Sequence, residues 1–162
     1  MKNKIEILAP AGGFDSVIAA VHSGADAVYV GAKAFSARAS AHNFDAEELK
    51  ECVRYCHRRG VKVHLALNTL IFDDEMSAAL ELVKTVAKAD IDALIIQDLG
   101  LVSLIKKMAP DLPLHASTQL SVHTPYGARA LYEMGFERVV LSRELSFNEI
   151  KKSVNSDRTS VV

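Results

Sequence analysis

The sequence predicts an α/β fold: a partial, incomplete TIM-type (β/α)8 barrel with about six parallel strands. Three observations predict it. Apolar runs of strand length alternate with amphipathic segments of helix length through the 162 residues. Several runs are nearly unbroken Ile, Leu, Val and Ala, the pattern of parallel strands covered by helices. Polar residues also collect at the C-terminal ends of successive strands. A barrel gathers those ends around one mouth, whereas an open doubly wound sheet has a single switch point, and no GxGxxG follows the first strand.

The elements follow in order. "KIEILAP" (Lys4–Pro10) reads as a strand, and "FDSVIAAVHSG" as a helix stopped by Gly24. Gly12 and Gly13 between them suit either a plain strand-to-helix turn or an approach of backbone amides to an anion. "ADAVYVG" (Ala25–Gly31) is the second strand. A long loop, "AKAFSARASAHNF", leads to "DAEELKECVRYCHRRG", a helix with Asp45 as N-cap, Glu48 three residues on and Gly60 as its stop. "VKVHLALN" (Val61–Asn68) is the third strand, and "DDEMSAALELVKTVAKA" a helix with acidic residues expected in its first turn. "DALIIQD" (Asp92–Asp98) and the short helix "LGLVSLIKKMAP" come next, then the strand "LPLHAST" and the helix "PYGARALYEMG". "RVVLSR" (Arg138–Arg143) is the sixth strand, and "SFNEIKKSV" opens a helix with Ser146 and Glu149 as a capping box.

Residues 1–152 therefore read as one barrel domain, and 153–162 as a tail. "NSDRTSVV" predicts neither a seventh strand nor a further helix, so strands one and six are expected to expose unpaired edges. The expectation is a truncated chain, or one whose open edges are covered by a homo-oligomer or a partner chain.

Composition is that of a soluble globular protein: 49% hydrophobic, 24% charged, net charge −1. That balance gives no electrostatic case for nucleic acid or an anionic membrane. No apolar stretch approaches the ~20 residues of a membrane helix, and no signal peptide is evident, so the expected location is cytoplasmic. Cys52 and Cys56, four apart on one helix face, read as small buried hydrophobes; with no second pair, no metal site is assigned.

Linked motifs, "LAPAG", "GADAVYVG", "LNTL", "QDLG", "HASTQ" and "LSREL", resemble the N-terminal half of the TIM-barrel domain of the collagenase-like peptidases. That is the thirty-second family among peptidases of unknown mechanism, and the resemblance runs from Glu6 to about Lys152. It implies a peptidase label. It also implies kinship with proteins of oxygen-independent hydroxylation acting on transfer-RNA uridine, ribosomal-RNA cytidine or the ubiquinone ring. An iron–sulfur cluster is implied for a full-length protein, on cysteines beyond the "LSREL" strand, and none for these residues.

Three chemistries are open. Ser117 (or Thr118), His115 and Asp98 can be drawn as nucleophile, base and orienting group, though no GxSxG surrounds the serine. Neutral donors and acceptors at strand ends, Asn68, Gln97, Ser117 and Gln119, with Arg38 and Arg143 as anion forks, instead make a binding ring for RNA or a small anionic substrate. The alternative roles are loop anchoring for Asn68 and Gln97 and a salt bridge for Arg143. A non-enzymatic binding or assembly module is the third. The RNA- or quinone-modifying hydroxylase is favoured over a genuine protease, with no robust catalysis expected from these 162 residues by themselves.

Overall fold

The computed structural model describes residues 5–37, 42–156 and 160–161. In chain order they form β1 (Leu8–Pro10), α1 (Phe14–His22), β2 (Ala27–Gly31), α2 (Ala46–His57), β3 (Lys62–Leu67), α3 (Met76–Lys88) and β4 (Ala93–Ile96). These are followed by α4 (Leu99–Met108), β5 (Leu114–Ala116), a 3-10 turn (Thr118–Leu120), α5 (Pro125–Glu133), β6 (Arg138–Val139), α6 (Phe147–Ser156) and β7 (Ser160–Val161). The strands pair in sequence order and every pairing is parallel. Each crossover is made by a helix, so the sheet curls into part of a (β/α) barrel.

The period-2 alternation of the strands divides their side chains between two faces. Val28 and Val30 of β2, Val63, Leu65 and Leu67 of β3, Leu94 and Ile96 of β4, and Leu114 of β5 pack outward against the helices. There they meet Val17, Leu49, Val53, Val83 and Ile105 in one hydrophobic core. The other parity faces the barrel lumen. Asp45 caps α2 by accepting from the N–H groups of Glu47 and Glu48, while the Glu48 carboxylate accepts from Asp45 N, the predicted capping box. Gly24 and Gly60, at φ +87 and +70, end their helices in the left-handed region as predicted.

Several expectations are corrected. The tail does form structure: α6 continues through Ser156, and β7 adds to β6, with Arg138 opposite Ser160 and Val139 opposite Val161. A parallel ladder is made by backbone groups, so a polar stretch with no strand-like pattern joined it unannounced. The sixth strand is therefore paired on both sides, and among the described residues the sheet ends at β1 and β7. The predicted sixth strand ends at Val139 instead of Arg143. Finally, α3 has no acidic residue in its first turn. Asp73 and Asp74 lie in the turn before it, and Glu75 at the N-cap accepts from Phe72 N.

Candidate functional site

At the C-terminal ends of the strands lies a cavity of about 620 Å³. Its walls come from every strand or strand end between β1 and β6: Leu8, Tyr29, Ala66, Ile95, Ser117 and Val140, all of lumen-facing parity. Its rim is Ala37, Asn68, Thr118, Gln119, Leu141 and Arg143. The volume is that of a small-molecule site, apolar below and polar at the opening.

Four of the predicted binding residues meet here: Asn68, Ser117, Gln119 and Arg143. Asn68 Oδ1 accepts from Ala37 N at 3.1 Å and so anchors the loop after β2 as well. Arg143 is exposed and makes no ion pair among the described residues. Ser117 is 1% exposed, and its Oγ accepts from Gln119 N at 3.2 Å, which fixes the 3-10 turn carrying Thr118 and Gln119 over the cavity. Gln97 is half-buried just past β4 and is not part of the lining. Arg38 lies outside the described residues. The long strand-two loop reaches the rim through its neighbour Ala37.

The predicted nucleophile, base and orienting group are not joined. Asp98 caps α4, with Oδ1 accepting from Leu101 N at 2.8 Å and Oδ2 from Ile71 N at 3.4 Å. His115 sits one tier below the cavity, 6% exposed, its ring edge-on to His64 with centroids 4.8 Å apart. Burial first, then the neighbouring His64, Arg138 and Lys62, pushes its pKa down to about 3, and burial pushes that of His64 down to about 4. A base so weak does not take the proton of a serine hydroxyl near neutral pH.

That lower tier is formed by residues two positions before the cavity walls: Glu6, Ala27, His64, Ala93, His115 and Arg138. Arg138 Nη1 donates to Glu6 Oε1, joining β6 to the segment before β1 across the lumen. Burial alone would raise the Glu6 carboxyl. The bond from Arg138 and the charges of Arg138 and Lys62 outweigh it and hold the group below its usual range. Neither Glu6 and Arg138 nor Tyr29 was singled out from the sequence. The one available signal was inward parity, since each lies at an even step from a wall residue.

The Gly12–Gly13 turn leads into a second opening of about 550 Å³, but Asp15, Glu48 and Glu51 line it, and three carboxylates oppose an anion there. Cys52 and Cys56 are free thiols, fully buried in the helix-facing core. The described residues contain no group of three or more His, Cys, Asp or Glu able to hold a metal. Among the described residues the donors do not fit an iron–sulfur cluster. No helix among the described residues is long and apolar enough to cross a membrane.

A parallel sheet curled into part of a barrel, with a cavity at the C-terminal strand ends, defines a (β/α)-barrel protein whose cavity lies where that class carries its sites. Comparison with known proteins gives the family. The model of peptidase family U32 matches residues 12–161, and the chain belongs to that family. It is 40% identical over 151 residues to a 23S rRNA 5-hydroxycytidine synthase of Escherichia coli, covering 92% of this chain and 22% of that protein. It is 34% identical over 150 residues to a collagenase of Porphyromonas gingivalis, covering 92% and 36%. Among solved structures, a U32 peptidase superposes with a TM-score of 0.78 at 15% identity, covering 99% of this chain and 68% of that one, a likeness of fold. The chain thus spans about a fifth to a third of those two curated relatives.

Proposed function

We propose that this chain forms the substrate-facing part of an RNA-modifying hydroxylation protein, and that its mouth cavity receives a pyrimidine base. One observation carries the reading. Among the described residues the cavity presents neutral hydrogen-bonding groups, Asn68, Ser117, Thr118 and Gln119, beside one guanidinium, Arg143, and no nucleophile joined to a base. Amide and hydroxyl groups match the edge of a pyrimidine, Tyr29 offers a ring against which a base can stack, and Arg143 suits a phosphate at the opening. In this role the chain's residues bind and orient the ring and exclude water beneath it with Leu8, Ala66, Ile95 and Val140. The hydroxylation named for the Escherichia coli relative supports the reading. Ligands for any redox group would be residues other than Cys52 and Cys56.

The test is deletion of the complete gene in its host, followed by mass spectrometry of nucleosides from ribosomal and transfer RNA. The expected result is loss of one hydroxylated pyrimidine, restored by the intact gene and not by Arg143→Ala. Unchanged nucleosides, together with gelatin cleavage abolished by Ser117→Ala or His115→Ala, would overturn the reading in favour of a protease.

A further inference from the structure

Around the cavity the structure leaves large apolar side chains in solvent. Leu70 and Phe72 stand on the turn after β3, Leu99 opens α4, Tyr126 is the second residue of α5, and Phe147 opens α6. Their exposures are 67, 73, 44, 85 and 83%. Since β3 to β6 are consecutive neighbours, these four turns adjoin along one arc of the rim. Leu99 also walls a groove of about 420 Å³ together with Leu120, Val122 and Leu131. Folding gains little from side chains left so open, and a clustering of them on one face marks an interaction surface.

The same turns have a strong charge bias. Residues 68–75, 97–100, 117–126 and 140–149 hold six carboxylates, Asp73, Asp74, Glu75, Asp98, Glu144 and Glu149, against one guanidinium, Arg143. The bias is local, because the whole chain has a net charge of −1. A phosphate chain laid along this arc is repelled, whereas a cationic surface is attracted to it.

We infer that the arc from the β3 turn to the start of α6 docks a protein partner, through a basic element whose apolar anchors meet Phe72, Leu99, Tyr126 and Phe147. The inference is independent of what enters the cavity. If that ligand is a base of RNA, Arg143 is the one guanidinium this arc offers its backbone, and the further cations arrive with the partner.

The experiment measures binding of three probes by fluorescence anisotropy: a short amphipathic peptide of leucine and lysine, its leucine and glutamate counterpart, and single-stranded oligouridine. Static light scattering of the chain is run in parallel. The leucine–lysine peptide is expected to bind, with the other two at least ~10-fold weaker. Phe72→Ser and Phe147→Ser, both at exposed positions, are expected to weaken it by a similar factor. Asp73→Asn with Asp74→Asn is expected to reduce the dependence of binding on salt. Three results would overturn the inference: peptide binding indifferent to these substitutions, oligouridine binding that depends on Phe72 and Phe147, or concentration-dependent self-association abolished by Phe147→Ser. The second makes the arc a nucleic-acid face and the third a contact between copies. Neither bears on the pyrimidine reading, which is decided at Arg143.

Discussion

Replacing Arg138 by Met removes the cation that braces the lumen, and the cost can be worked from its surroundings. The Arg138 and Glu6 side chains are 16% and 25% exposed, so most of each charge is out of water. Removing one partner of a fully buried pair costs roughly 3–5 kcal/mol, because the other charge is stranded. Here Glu6 keeps partial exposure and a second cation, Lys62 Nζ at 3.7 Å, so about 2–3 kcal/mol is expected. At ~2–4 °C per kcal/mol for a domain of this size, melting falls by ~4–12 °C. Glu6→Gln is the more damaging single change, since it leaves a guanidinium whose Nε is already buried without a partner among the described residues.

The double variant should cost less than the sum of the two singles, the signature of a direct pair. The pH dependence has a definite sign. A carboxyl held below its ordinary value stabilises the fold above that value, and the gain is lost as pH falls through its folded pKa. The gap between wild type and Arg138→Met is therefore widest at neutral pH and closes below about pH 4. Urea unfolding followed by circular dichroism from pH 3 to 8 measures all of this. A gap under ~0.5 kcal/mol, or one that does not change with pH, would refute the brace.

Other outcomes follow from the same geometry. His64 and His115, held unprotonated with pKa values pushed down to about 4 and about 3, are protonated more readily in the unfolded chain. Stability should therefore fall as pH drops from about 6.5 toward 3, with a slope approaching about 1.4 kcal/mol per pH for each histidine, and His64→Gln with His115→Gln should flatten it. A Cβ at Gly31 would meet Asn43 Oδ1 at 2.5 Å and Ser36 Oγ at 2.6 Å, so Gly31→Ala should cost ~1–3 kcal/mol in a thermal melt. Neither Cys52 nor Cys56 should react with a thiol reagent in the native protein, and both should react once it unfolds, as a timed colorimetric titration with and without urea would show.

What the sequence determined by itself is the alternation of strand and helix, the parallel sheet, the caps at Asp45, Gly24 and Gly60 and the family. These rest on local patterns: apolar runs, capping residues and ordered motifs, all legible without knowing what lies opposite. Part of the cavity was legible too, because Asn68, Ser117, Gln119 and Arg143 stand at or just beyond strand ends, where a barrel puts its site.

Tertiary structure decided the rest. His115 and Ser117 are two residues apart on one strand end, and that step puts one in the tier below the cavity and the other in its wall. Where the cavity floor falls between them is set by the curl of the sheet, which spacing does not encode. Asp98 was polar and well placed by sequence, but its carboxylate is taken up by Leu101 N and Ile71 N once α4 and the β3 turn converge on it. Glu6 and Arg138, 132 positions apart, meet only because the sheet curls. β7 was unreadable for a related reason: it is held by backbone bonds to β6, and those depend on where the chain passes more than on which side chains it carries.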